Sequence, residues 1–368
     1  MQIVNSRTAY PIGRQVEIIN DVRMRGIPEK QGVAFSRHGY LAAKDDPTTN
    51  ADAYGRMLRR TLRPLSAPTL ERARAEYARR EVIRFPRYFI IEPNASCNRK
   101  CVFCPITVTN RKGNMSWSDF TELMDECAQH DVYGLSLYQL SEPMLYRFNG
   151  RDIAHMVDYA KRTAQFRAVN ISTNGDADNL SRLLECDLDD LIISIDGTTA
   201  DVYDQNRPST RANDTGAFDR TVGRVMAFLE AKAQRGQPKP YVRVQCINKE
   251  NTAPQILDFI RYWIAVPGVD DVLIKHLDGM SAWLGDKVVS REEADIKMNK
   301  VRNMPCQHIY SIGSMVATGA YNACCHDSRT ELTTEHCNVR EMSFSDWWNG
   351  EFMTALRAEH EQGARRLP

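Results

Sequence analysis

Three cysteines crowd into Cys97-Asn-Arg-Lys-Cys101-Val-Phe-Cys104, a C-x3-C-x2-C run. Thiolates are soft ligands, and three this close along the chain can share one metal centre. Zinc usually takes four protein ligands, often as two separated Cys or Cys/His pairs. No fourth Cys or His lies near this run, and Cys127 falls in a helical pattern. A cube with four irons, held by three cysteines, keeps one iron open for a ligand that is not protein. Cys306, Cys324, Cys325 and Cys337 form a second group toward the C-terminus. The chain has 10 cysteines, and its first residues, Met1-Gln-Ile-Val-Asn-Ser-Arg, lack the apolar core of a signal peptide. That combination suits metal binding in a reducing compartment rather than disulfides, so a cytoplasmic location is expected.

The elements that must position these thiols are legible as a rhythm. Tyr88-Phe-Ile-Ile-Glu-Pro93 is apolar and β-rich, bounded by prolines, and predicts a buried strand running straight into the cysteine loop. Helix Ser118–His130 follows, then strand Tyr133–Leu140, helix Asp152–Ala164, strand Phe166–Thr173, helix Ala177–Cys186 and strand Asp190–Ile195. Helix Thr215–Ala233, strand Tyr241–Ile247, helix Ala253–Ile264 and strand Val269–His276 complete an alternation of six strands with five helices. Such alternation means a parallel sheet with helices outside, either a partial barrel or a doubly wound sheet. Residues 1–86 are expected to be an extension with a charged helix at Thr69–Val82, residues 87–285 the α/β core, and residues 286–368 a small cysteine-rich domain. A net charge of +1 points to no nucleic-acid partner and no membrane surface. No apolar run reaches the ~20 residues of a membrane helix.

With Phe103 just before the last cysteine, the C-x3-C-x2-C run after the first strand resembles the radical S-adenosylmethionine (radical SAM) superfamily. The resemblance implies an α/β fold, a partial (β/α)6 barrel, with a [4Fe-4S] cluster on Cys97, Cys101 and Cys104 and S-adenosylmethionine on the open iron. Reductive cleavage of that molecule to a 5′-deoxyadenosyl radical and abstraction of a substrate hydrogen are then implied. An external electron donor of flavodoxin or ferredoxin type is implied with it. Further motifs fall in order at predicted strand ends. Gln139-Leu-Ser141-Glu142-Pro143 is similar to the family's Gly-Gly-Glu-Pro, with Leu-Ser in place of the glycines. Ser172-Thr-Asn174-Gly175 resembles the turn beside the cofactor ribose, and Ser194-Ile-Asp196-Gly197 followed by Arg207 the run beside the cofactor carboxylate. Phe103, Ser141, Glu142, Ser172, Asn174, Ser194, Asp196 and Arg207 are therefore expected around S-adenosylmethionine.

Cys306, then Gly319-x4-Cys324-Cys325, Cys337 and Trp347-Trp-Asn-Gly…Leu356-Arg357 resemble the SPASM/twitch extension of this superfamily. That implies an auxiliary iron–sulfur cluster on Cys306, Cys324, Cys337 and, as a fourth ligand, Cys325 or His326. The family's further C-x2-C is absent after this helix. In Val242-Arg-Val-Gln-Cys-Ile247 alternation sets Cys246 with Val242 and Val244, and Arg243 and Gln245 on the opposite face. Cys246 reads either as a small core residue or as a hydrogen donor, and Arg243 and Gln245 as barrel-lining groups for a polar substrate. The motif order is closest to that of the compact aminocyclitol dehydrogenases. It implies oxidation or epimerisation of a hydroxylated small molecule, a sugar or aminocyclitol of a natural-product pathway such as antibiotic biosynthesis. The alternatives are a peptide maturase and a non-catalytic iron–sulfur carrier.

Overall fold

The computed structural model describes residues 15–19, 35–38, 68, 72, 75, 83–109, 111–276, 306, 308–325, 327–332 and 337–362. Two strands, β1 (Gln15–Ile19) and β2 (Phe35–His38), come first. Then β3 (Tyr88–Ile91), β4 (Gly134–Ser136), β5 (Ala168–Thr173), β6 (Asp190–Ser194), β7 (Tyr241–Asn248) and β8 (Asp271–His276) follow in turn. The sheet order is β2-β1-β8-β7-β6-β5-β4-β3-β9, with β9 at Ile312–Met315, and every pairing is parallel. From β3 to β8 each strand lies beside its predecessor and the order never reverses. A doubly wound sheet needs a reversal to make its switch point. The α/β core is therefore the partial (β/α)6 barrel, wound in one direction.

The outer face of the sheet is apolar and covered by helices. Helix α1 (Trp117–Cys127) buries Phe120, Leu123, Met124 and Cys127, the i, i+3, i+4, i+7 stripe that the sequence predicts. It begins one residue earlier than expected, at Trp117, because Ser116 rather than Ser118 accepts the Asp119 N–H, at 3.0 Å. Helices α2 (Ile153–Arg162), α3 (Ala200–Asn206), α4 (Ala217–Arg235) and α5 (Ile256–Ala265) complete the outer layer. Val242, Val244 and Cys246 of β7 face it, in the same core as Ile256, Phe259 and Trp263. Each such side chain contributes about 1.5–3 kcal/mol by burial.

The expected helix Ala177–Cys186 is only a single 3-10 turn, Leu180–Leu184. Asp176, Asp178 and Asn179 precede it, and such short polar side chains compete with the helix for backbone groups. The helix α3 was not anticipated; it sits in the long loop after β6. Within the expected helix Thr69–Val82 only Arg72 and Ala75 are described, and both are helical.

The barrel interior is polar at the N-terminal ends of the strands. Tyr88 Oη lies 2.7 Å from Ser136 Oγ, which donates to Asn170 Oδ1 at 3.1 Å. Arg243 and Asp190, both fully buried, form an ion pair across β7 and β6. This belt closes the interior below and leaves the C-terminal mouth open for chemistry.

The C-terminal segment is bonded into this frame. Helix α6 (His308–Ser311) leads into β9, and helices α7 (Phe344–Asn349) and α8 (Glu351–Glu361) follow. The Glu126 carboxylate of α1 accepts the N–H groups of Phe344 and Ser345, each at 2.8 Å, and so caps α7. Arg340 pairs with buried Asp119, and Trp348 Nε1 donates to the Ile83 carbonyl at 2.8 Å. Among the described residues no helix is long and apolar enough to cross a membrane.

Candidate metal centre and active site

The cysteine loop leaves β3 at the open mouth and is laced to the loop after α3. The Lys100 N–H bonds the Pro208 carbonyl at 2.8 Å and the Val102 N–H bonds that of Asn206 at 3.1 Å. Arg99 drives between them into the core. It is 1% exposed, and its Nη2 reaches Asp176 Oδ2 at 2.7 Å and Thr221 Oγ1 at 2.8 Å. Asp176 is also held by Arg220 and Arg224 of α4. Burial alone would raise the Asp176 carboxyl; hydrogen bonds and charge from Arg220, Arg99 and Arg224 outweigh it and hold it below the usual aspartate range. Neither Arg99 nor Asp176 stood out in the sequence. An arginine flanked by metal-type cysteines is a usable sign, whereas nothing local marks Asp176.

The three thiols are close enough to perturb one another. Burial, then the negative groups Glu142, Cys101 and Cys104, push the Cys97 thiol above its ordinary value. Burial likewise raises Cys101, against the Arg207 charge. Donors are aimed at the sulfurs. The Arg99 N–H and Asn174 Nδ2 point to Cys97 Sγ at 3.4 and 3.7 Å, and Arg207 Nη1 points to Cys101 Sγ at 3.6 Å. Among the described residues no three Cys, His, Asp or Glu side chains converge on a single-ion site. Grouped, partly open thiols with N–H donors at their sulfurs fit an iron–sulfur cube, whose positive irons strip the thiol protons that burial otherwise retains.

The residues expected around the cofactor ring this loop. Glu142 is 2% exposed and accepts three hydrogen bonds: Thr173 Oγ1 at 2.6 Å, the Asn174 N–H at 2.7 Å and the Met144 N–H at 3.1 Å. Burial still raises its carboxyl, against those three donors. The hydroxyl of neighbouring Ser141 is buried without a partner. Asn174 closes a turn by accepting the Asp176 N–H at 2.8 Å. Gly175 follows at φ +76°, and a Cβ there would meet Val225 Cγ2 at 2.8 Å, so only glycine suits this turn. Asp196 accepts the Ile247 N–H and Arg207 Nε, both at 2.6 Å, and thereby aims Arg207 at Cys101. The ring of Phe103 lies under the Arg207 guanidinium at 5.6 Å and the Lys249 ammonium at 5.5 Å. Ser194 Oγ accepts Gln245 Nε2 at 3.3 Å on adjacent strands, and Ser172 is half-buried on β5. Arg243 lies deeper, in its pair with Asp190. Cys246 is 1% exposed among Val242 and Val244, its thiol raised well above the ordinary value by burial.

A polar chain links this mouth to the C-terminal cysteines. Glu92 pairs with Arg111 at 2.5 Å, Arg111 Nη2 reaches Gln139 Oε1 at 3.1 Å, and Gln139 Nε2 donates to the Cys325 carbonyl at 2.7 Å. Cys324, Cys325 and Cys337 are buried and Cys306 half-buried. His326 lies outside the described residues.

No family model matches the chain. A stretch of 168 residues is 33% identical to the mycofactocin maturase MftC of Mycobacterium tuberculosis, covering 45% of this chain and 38% of that protein. The chain thus spans less than half the length of the curated relative it matches. The crystal structure of Streptococcus suis SuiB bound to its precursor peptide SuiA superposes with a TM-score of 0.55 at 16% identity, over 79% of this chain and 72% of that one. The structure of anSMEcpe with bound AdoMet and the Cp18Cys peptide gives 0.53 at 14% identity, over 75% and 84%. The one-directional barrel with its cysteine loop at the mouth is thus the fold of these structures, and over 168 residues the sequence is similar to that of the maturase.

Proposed function

We propose that the chain holds a [4Fe-4S] cluster on Cys97, Cys101 and Cys104, reductively cleaves S-adenosylmethionine there and oxidises a substrate bound at the barrel mouth. The observation that carries this reading is the convergence of Glu142, Asn174 and Arg207 on the thiol loop, from the loops after β4 and β5 and from the end of α3. When bound, the cluster supplies the electron that breaks the sulfonium bond. The protein's part is positional. Glu142 is a negative group pinned by three donors, suited to an ammonium. Arg207, Asn174 and the Arg99 N–H polarise the sulfurs, and Phe103 offers a flat face beside two cations. Electrons would come from a flavodoxin- or ferredoxin-type donor, in a reducing cytoplasm that keeps the thiols free. The C-terminal cysteines Cys306, Cys324, Cys325 and Cys337 would hold an auxiliary cluster as electron acceptor. Cys246 faces the helices, so oxidation is favoured over epimerisation through that thiol.

Two substrate classes remain in play, and the comparisons favour a peptide. The matched relative is a maturase, and both superposed structures hold peptides. A hydroxylated small molecule, sugar or aminocyclitol, keeps the support of the polar lumen, where Ser194 and Gln245 can meet hydroxyls. Anaerobic, reconstituted protein should form 5′-deoxyadenosine with dithionite and S-adenosylmethionine, and Cys101→Ala should abolish it. Cleavage that survives Cys101→Ala would defeat the reading. Faster 5′-deoxyadenosine release with candidate peptides than with sugars would select the peptide branch, and the reverse would select the small molecule.

A further inference from the structure

The C-terminal hairpin makes one contact that the cysteine spacing does not foretell. After β9 the chain turns at Ala317–Gly319 and runs back antiparallel: the Val316 N–H bonds the Ala320 carbonyl, and the Asn322 N–H bonds that of Ser314, both at 2.9 Å. This return carries Cys324 and Cys325 to the level at which α6 begins. There Cys325 Sγ lies 3.1 Å from His308 Nδ1. Cys306 sits two residues before His308, its N–H donating to His360 Nδ1 at 3.4 Å. Cys337 joins from the other side of the return strand, its carbonyl accepting the Tyr321 N–H at 2.7 Å.

We propose that His308 is an imidazole ligand of the auxiliary iron–sulfur centre, sharing an iron with Cys325; this rests on the auxiliary-cluster reading above. Cys324 and Cys325 open a turn in which the Asp327 N–H bonds the Cys324 carbonyl at 3.0 Å, and Cys325 is the one whose sulfur meets His308. A thiolate at roughly 2.3 Å and an imidazole at roughly 2.0 Å from one tetrahedral metal lie about 3.5 Å apart, within a few tenths of the observed contact. The orientation is braced from behind, since Gln139 holds the Cys325 carbonyl and is itself held by Arg111. The chemical consequence follows from charge. A neutral imidazole in place of a thiolate makes a cluster less negative and raises its potential, as in centres where histidines replace cysteines on one iron. A centre built this way accepts an electron from an oxidised substrate more readily than an all-cysteine cluster of the same size.

The test isolates the C-terminal centre. A Cys97→Ala, Cys101→Ala, Cys104→Ala triple variant is reconstituted anaerobically, its iron counted, and the dithionite-reduced state examined by pulsed electron paramagnetic resonance. Roughly two irons per chain, as in a cluster whose irons each take two protein ligands, with a directly bound nitrogen coupling, converted to the 15N pattern by labelled histidine, is the expected result. His308→Ala should lose that coupling and part of the iron. His308→Cys should keep the iron, lack the coupling and titrate at a more negative potential. A cluster with no histidine nitrogen coupling overturns the assignment, as does a coupling that persists in His308→Ala. A triple variant without iron would overturn it together with the auxiliary centre, while leaving S-adenosylmethionine cleavage by the unmodified chain untouched.

Discussion

At the scale of single residues, Glu142 shows how a motif position becomes a site. Its place after β4 was readable from Glu142-Pro143 alone, but its setting was not. The two glycines usual before it are Leu140 and Ser141 here, and the pocket is instead shaped by three donors from the β4 and β5 loops. Those bonds fix the carboxylate against burial, which by itself favours the neutral form. Glu142→Gln keeps the shape and removes the charge. Hydrogen bonds to charged groups are worth ~1.5–3 kcal/mol, so S-adenosylmethionine affinity should fall roughly 10- to 100-fold. Calorimetric titration of the reconstituted variant measures this, and a change under twofold would remove Glu142 from the binding set. Cys246 is the opposite case. Alternation along β7 already set it with the core valines, and the fold places it there.

At the scale of elements, the cysteine loop is pinned by Arg99, which bonds Asp176 after β5 and Ala217 and Thr221 of α4. Asp176 answers it with a carboxylate that also binds Arg220 and Arg224. Asp176→Asn leaves the buried Arg99 charge unanswered, a change that costs about 3–5 kcal/mol in such pairs. The variant should melt earlier and retain less iron on the first cluster. The pH dependence follows from the depressed carboxyl. A group whose folded value lies below its unfolded one stabilises the fold above the ordinary aspartate value near 3.8. That contribution is lost as pH falls through the lowered folded value. Denaturant unfolding should therefore show a large gap between the native chain and Asp176→Asn at neutral pH, closing in acid. A gap that stayed constant below about pH 3 would rule out this clamp. Sequence pattern found the strand before the loop and the helix behind it. The clamp joins residues 77 positions apart, and no local signal encodes such a pairing.

At the scale of the whole molecule, the barrel and the C-terminal segment share one frame. Parallel pairing of β9 with β3, the cap from Glu126 to α7 and the Trp348 bond to Ile83 cross between them. Trp348 is fully buried and stacks on Phe344 with centroids 5.8 Å apart. Trp348→Ala should cost about 3–5 kcal/mol. Because the contacts are shared, far-ultraviolet circular dichroism and tryptophan fluorescence should shift together in one transition. Two separated transitions in the native chain would mean that barrel and C-terminal segment unfold independently. The same sheet is extended at its other edge by β1 and β2, from a stretch whose sequence carried no strand–turn–strand signal.

The sequence by itself determined the cysteine spacing, the six strands with four of the five helices between them and the order of polar residues at the strand ends. These are properties of neighbours along the chain, since a ligand loop, an apolar stripe and a two-residue alternation are each written within about a dozen residues. Only the tertiary structure decided that the strands wind in one direction, that β1, β2 and β9 lengthen the sheet, that Arg207 is aimed at Cys101 through Asp196, and that His308 meets Cys325. Each of these depends on register between strands, or on a side chain crossing between elements far apart in sequence. Such contacts are selected by the packing of the whole core and leave no periodic trace in the residues that make them.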